Sequence, residues 1–252
     1  MRVHLQREID KLHVSVLALS AEVEENVRAA VRSVENRDAV LAHTVIQRDQ
    51  ATDTMEVDIE EECLKILALH QPVASDLRMI VAVLKINQDL ERIGDLAAHI
   101  AERALFLCCQ PSIDIPFRLG SMADKTQQML KNVLDAFVNL DEAGARKVCA
   151  ADSAVNAIKK EVIRQASDAI MQTPERLEIF LQIISIARHL ERIADHAVNI
   201  AEDLLYLIEG TIVRHQPMTN VGEDMNKEPD SVMAEPLPPC DADRNVMTGK
   251  QI

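Results

Sequence analysis

Apolar side chains recur every three or four residues along most of residues 2–210, which is the period of amphipathic helices. Helix-breaking sequences interrupt this pattern at ENRD, HQP and CCQPSIDIP, and again before TPER. The predicted helices span about residues 2–35, 38–69, 72 or 75 to 109, 117–141, 144–171 and 174–210. At the last of these, Thr173 can cap the helix, Pro174 can take its first position and Gly210 can end it. Short connections make neighbouring helices antiparallel.

A sequence repeat divides the six helices into two sets of three. LERIGDLAAHIAE at residues 90–102 returns as LERIADHAVNIAE at residues 190–202, with nine of thirteen positions identical. The repeat occupies the third helix of each set, so we infer an internal duplication. The predicted domains are two tandem antiparallel three-helix bundles, at residues 1–111 and 112–212, with a boundary near residue 112.

The pattern ends before the last stretch of the chain. Five of the nine prolines lie within residues 217–239, in a polar and acidic segment without apolar periodicity. Such a composition buries too little apolar surface to fold, so residues 213–252 are predicted to be a disordered tail.

The composition supports an all-α protein and argues against one class of partner, nucleic acids. Trp is absent and there are four Phe and one Tyr, so aliphatic side chains form the core, as in helix bundles. The formal charge of −14 argues against nucleic-acid binding, which needs a dense basic face. No apolar run has the length of a signal peptide or a spanning helix, and the five cysteines show no C-x-x-C spacing. We therefore expect a cytoplasmic protein with reduced thiols.

The repeated helix carries two acids one turn apart, Glu91 and Asp95 in the first copy and Glu191 and Asp195 in the second. Like charges at this spacing destabilise a helix by roughly 0.2–0.5 kcal/mol, so a compensating interaction is expected.

The second helix of each set has a related pair, Asp49 with Asp53 and Asp152 with Asn156. In an antiparallel hairpin, residues equally far from the turn lie level. At about 1.5 Å per residue, the two pairs of each half fall within roughly one turn in height.

Converging carboxylates either keep their protons or bind cations. His99, one turn after Asp95, makes the first site more favourable for iron or zinc, and Glu22 and Glu25 are possible further ligands. Nearby arginines such as Arg92 could instead pair with the acids, which would make the repeat an electrostatic feature. The residues alone leave both interpretations open.

The segments CLKILALHQPVASDLRMIVAVLKINQDLERIGDLAAHIAE and IISIARHLERIADHAVNIAED resemble the PhoU family, over about residues 3–210. The resemblance implies two three-helix bundles related by pseudo-twofold symmetry. It also implies multinuclear iron, or zinc, on E/D-x-x-x-D motifs, which correspond here to Asp49 and Asp53, Glu91 and Asp95, and Glu191 and Asp195. Asp152 with Asn156 departs from the pattern, so we expect the first half to bind metal more tightly.

The resemblance further implies a negative regulator of the phosphate-starvation (Pho regulon) response. Such a protein couples the ATPase subunit of the phosphate ABC transporter to a phosphate-sensing histidine kinase, forms a homodimer, and reaches the membrane only through its partners.

Two other functions compete with this one. A di-metal carboxylate enzyme would use the acids for redox or hydrolytic chemistry, but the E-x-x-H motif of ferritin-like di-iron sites is absent from the sequence, as is a Gly-rich phosphate loop. A purely structural helical scaffold would use the acids in salt bridges.

Overall fold

Six long helices form the part of the chain that the computed structural model describes, residues 2–111 and 118–210. They are α1 (Arg2–Glu35), α2 (Ala39–His70), α3 (Ser75–Cys108), α4 (Leu119–Asn139), α5 (Glu142–Gln172) and α6 (Leu177–Glu209). A 3₁₀ turn, Pro174–Arg176, precedes α6, and the described residues contain no strand. The predicted all-α fold and its six helices are confirmed. The predicted tail and the boundary near residue 112 lie outside the described residues.

Local chemistry accounts for the start of α2 and the end of α6. Asp38 caps α2 by accepting a hydrogen bond from the Leu41 backbone N–H at 3.0 Å. Gly210 ends α6 in the left-handed conformation, with φ of 74° and its N–H bonded to the Tyr206 carbonyl. The predicted cap at Thr173 is wrong: its hydroxyl donates back to the Ala169 carbonyl at 2.9 Å, so it closes α5 instead.

Buried apolar side chains of all six helices form one continuous, mainly aliphatic core, to which α1 to α3 contribute in the first half and α4 to α6 in the second. Within each half, the second and third helices form an antiparallel hairpin with a connection of four residues, which in the second half includes the 3₁₀ turn. This pairing brings the side chains of α2 against α3 and those of α5 against α6.

The two halves meet along α3 and α6, which run antiparallel, and the described residues form one compact unit. Lys85 pairs with the buried carboxylate of Asp203 at 3.1 Å. Near the other end of the seam, the rings of His99 and His189 stack with their centroids 5.5 Å apart. The acids of the repeat lie on the hairpins on either side of this seam.

Within residues 2–111 and 118–210, no helix combines the length and the apolar run needed to cross a membrane.

Candidate metal site

Three carboxylates converge between α2 and α3. Asp49 and Asp53 lie one turn apart on α2, and Asp95 faces them from α3; one oxygen from each lies within 4.8 Å of the others. Asp49 and Asp95 are partly buried, whereas Asp53 is exposed. We call these three residues the acidic triad. Among the described residues, the triad is the only set of three or more His, Cys, Asp or Glu side chains placed this closely.

A glycine allows the two helices to approach at the triad. A Cβ atom at Gly94 would lie 3.1 Å from the Thr52 Cγ2 methyl and 3.7 Å from the Asp49 Oδ1 oxygen. Any larger side chain would therefore push α2 away from α3, and Asp49 away from Asp95. Thr52 is itself buried, so the methyl has little room to move.

The electrostatics of the triad show uncompensated negative charge. Burial raises the pKa of Asp49, and the neighbouring charges of Asp53 and Asp95 raise it further. Burial and the charge of Asp95 likewise raise the pKa of Glu91. A cation placed among these oxygens would reverse both effects, because it favours the ionised carboxylates.

A further acid, Glu56 on α2, adds to this negative charge, because it raises the pKa of Glu91. The buried amide of Asn87 donates to the Glu56 carbonyl at 2.9 Å and to its carboxylate at 3.2 Å, which fixes the side chain. Sequence analysis missed Glu56. Its position three residues after Asp53 places it on the same face of α2, and this spacing was the available signal.

One arginine lies beside the acids without neutralising them. Arg92 is exposed, and its nitrogens are 3.4 Å from both the Glu91 and the Asp95 carboxylates. Charge-assisted hydrogen bonds are normally about 2.7–2.9 Å long, so these contacts are weak. A cation can compete with Arg92 for both acids.

The remaining first-half candidates lie outside the triad. The charge of His99 lowers the pKa of Asp49, which places this exposed histidine nearby, yet its ring packs on His189. Glu22 lies 3.9 Å from Arg48, and Glu25 pairs with Arg28.

The second half assembles its predicted residues differently. Asp152 on α5 accepts a hydrogen bond from the Asn156 amide at 2.7 Å. Glu191 on α6 contacts the ammonium of Lys159, a residue that sequence analysis did not consider. Burial raises the pKa of Asp195 to about 6, with the charges of Glu191 and Asp152 adding to the effect. These acids therefore have a basic side chain among them, as in the alternative interpretation of ion pairing, although the residue is a lysine and not an arginine.

The first-half donor set suits a hard cation. All three triad ligands are carboxylate oxygens, and Glu91 adds a fourth on the same face of α3, the donor type that Mg²⁺, Mn²⁺ and oxidised iron prefer. Burial and neighbouring charges raise the pKa values of Asp49 and Glu91, despite the weak contact of Arg92 with Glu91. The residues present thus fit a metal ion in the first half.

Comparison with known proteins gives matches in both halves. The sequence matches the PhoU domain at residues 16–104 and 119–204. The Pseudomonas aeruginosa protein named phosphate-specific transport system accessory protein PhoU homolog is 38% identical over 219 residues, which cover 86% of this chain and 90% of that protein. The accessory protein PhoU of Escherichia coli K12 is 34% identical over 208 residues, covering 82% of this chain and 86% of that protein.

Two solved structures have the same fold. The crystal structure of PhoU from Pseudomonas aeruginosa superposes with a TM-score of 0.79 at 38% identity, covering 82% of this chain and 99% of that one. The phosphate transport system regulatory protein PhoU from Streptococcus pneumoniae gives a TM-score of 0.76 at 30% identity, covering 83% and 99%.

Proposed function

The chain belongs to the PhoU family, and we propose that it is a non-catalytic accessory protein that regulates phosphate transport and binds a metal ion at the acidic triad. The observation that carries the proposal is the family match in both halves, together with relatives of similar length named accessory or regulatory proteins of phosphate transport. The triad geometry supports the metal-binding part.

In this proposal the chain is an adaptor. It couples the ATPase subunit of the phosphate ABC transporter to a phosphate-sensing histidine kinase in the cytoplasm, and keeps the kinase from activating the phosphate-starvation response when phosphate is plentiful. A helical body with acidic faces suits this role, because such faces can meet basic patches on membrane-attached partners. A homodimer is part of the same proposal.

The proposed metal is iron, as a multinuclear cluster, or zinc. Asp49, Asp53 and Asp95 would hold it, with Glu91 as a neighbouring carboxylate. When bound, the metal would neutralise the repulsion among these acids and so tie α2 to α3. Its proposed role is structural or modulating.

A genetic complementation experiment tests the regulatory role. Expression of the chain in bacteria that lack their own PhoU protein should restore repression of phosphate-starvation genes in phosphate-rich medium, measured as alkaline phosphatase activity. The proposal would be contradicted if the chain were folded and present at normal levels but left the alkaline phosphatase activity unchanged.

A binding experiment tests the adaptor mechanism separately. The purified chain should retain the transporter ATPase subunit and the cytoplasmic part of the kinase in pull-down assays. If metal modulates these contacts, Asp49→Asn with Asp95→Asn should weaken them, whereas Asp58→Asn, at an exposed position of α2, should not. Undiminished binding by the double variant would limit the metal to a structural role.

A further inference from the structure

The two hairpins can be compared residue by residue, because their buried positions repeat. The spacing of buried side chains on α2 recurs on α5, pairing Val45 with Val148, Thr52 with Val155, and Ile59 with Val162. With this alignment the acidic face of α2 pairs with one face of α5, namely Asp49 with Asp152, Asp53 with Asn156, and Glu56 with Lys159. At two of these three positions, the acid of the first half is therefore replaced in the second half, by the amide of Asn156 and by the ammonium of Lys159.

Lys159 lies among the acids of the second half. Its ammonium contacts the Glu191 carboxylate, and the two side chains are only 21% and 18% exposed. At the corresponding position of α2 the first half has an acid, Glu56, and its acids are contacted only at 3.4 Å by the exposed Arg92.

From this arrangement we propose that the Lys159 ammonium replaces a bound cation in the second half, so that Asp152, Glu191 and Asp195 hold no metal ion. A divalent ion at these carboxylates would be repelled by the ammonium and would have to displace it from Glu191. The inference rests on the proposed function, which places a metal ion at the acidic triad. It adds that the metal site is limited to the first half.

Asn156 strengthens this conclusion. It stands where the first half has the Asp53 carboxylate, so the second half has one anionic ligand fewer, and its amide nitrogen donates to Asp152 Oδ2 at 2.7 Å. The other oxygen, Asp152 Oδ1, is buried without a hydrogen-bond partner, so one acceptor is available to a cation once the ammonium is removed. The second half is thus two substitutions away from the acid set of the first.

The functional consequence is an asymmetry between halves of the same fold. The first hairpin has Glu56 where the second has Lys159, so the second already places an ammonium against the Glu191 carboxylate. Removal of metal should therefore loosen α2 from α3 and leave α5 on α6 unchanged.

The test is a Mn²⁺ titration of the metal-free full chain, with free Mn²⁺ measured by electron paramagnetic resonance. The reference is a variant without the first-half site, Asp49→Asn with Asp95→Asn. In that background, Asn156→Asp with Lys159→Glu should bind Mn²⁺ at least tenfold more tightly than the reference. The control, Lys160→Glu in the same background, makes the same charge change as Lys159→Glu alone, at an exposed neighbouring position, and should have no such effect.

Two results would overturn the inference: a reference variant that still binds Mn²⁺ as tightly as the wild type, or a converted second half that binds no better than the reference. A wild type without Mn²⁺ binding would count against the metal in the proposed function. The comparison of the converted half with its reference would still test Lys159.

A single substitution gives a second test that does not depend on several changes being tolerated. Lys159→Met removes the ammonium and adds no ligand, so the melting temperature in chelator should fall below that of the wild type. Added Mn²⁺ should raise the melting temperature of the variant by more than that of the wild type. Equal melting temperatures in chelator, or equal shifts with Mn²⁺, would overturn the inference.

Discussion

Replacing Asp195 with Asn should stabilise the metal-free protein at neutral pH. Burial and the charges of Glu191 and Asp152 raise the pKa of Asp195 from 3.8 to about 6. The folded state therefore holds this proton more tightly than the unfolded state. Its stabilising contribution is complete below pH 3.8 and is lost as the pH rises through about 6. Asparagine cannot ionise, so the variant avoids this loss.

The size of the effect follows from the shift in pKa. One pKa unit corresponds to about 1.4 kcal/mol, so a shift of about two units would give about 3 kcal/mol for a fully buried group. The Asp195 carboxyl is only partly shielded and the residue as a whole is exposed to solvent, which screens the interaction, so roughly 1–1.5 kcal/mol is a realistic gain. For a protein of this size the melting temperature should rise by about 2–6 °C.

Thermal denaturation followed by circular dichroism, in chelator at pH 5 and pH 7.5, measures this gain. The increase should be clear at pH 7.5 and smaller at pH 5, where Asp195 is largely protonated. Asp58→Asn is the control, since it removes one negative charge from an exposed position. A lower melting temperature for Asp195→Asn at pH 7.5, or the same increase at both pH values, would refute the reasoning.

Three further predictions concern packing and burial. Gly94→Val should lower the free energy of unfolding by about 1–3 kcal/mol, because its Cβ would lie 3.1 Å from a threonine methyl on α2. The same variant should bind Mn²⁺ more weakly in a calorimetric titration. An unchanged Mn²⁺ affinity would contradict the role given to this glycine. Lys85→Met removes the ion pair with Asp203, which is 1% exposed. The free energy of unfolding measured in urea should therefore fall by about 1–3 kcal/mol, and an unchanged urea midpoint would contradict this prediction. Burial raises the pKa of the Cys63 thiol to about 12, so iodoacetamide at pH 8 should label this thiol only after the protein unfolds. Labelling of Cys63 in the native protein would contradict the packing of α2 described above.

The helices could be predicted because their signals are local. Apolar periodicity and the breakers around HQP and Gly210 act within a few residues, and they place the six helices to within a few positions. Thr173 shows where local reasoning fails. Its hydroxyl can hydrogen-bond to the backbone of the preceding or the following helix, and in the structure it donates to the Ala169 carbonyl of the preceding one.

The candidate site was predicted only in part. Counting residues from the connecting turn was enough to place Asp49 and Asp53 near Asp95, because antiparallel helices fix relative height. It could not give rotation about the helix axis, which decides whether Glu56 and Lys159 join the acids. Arginines such as Arg92 were expected as alternative partners of the acids, and the contact of Lys159 with Glu191 was not predicted for this reason.

Elemental analysis is the most direct test of the central claim, that the acidic triad is a metal site and the second half is not. The protein should be purified without a His-tag or added metal, as wild type, as Asp49→Asn with Asp95→Asn, and as Glu191→Gln with Asp195→Asn. The account predicts iron or zinc in the wild type, loss from the first variant and retention in the second. Equal loss from both variants, or negligible metal in all three proteins, would contradict it.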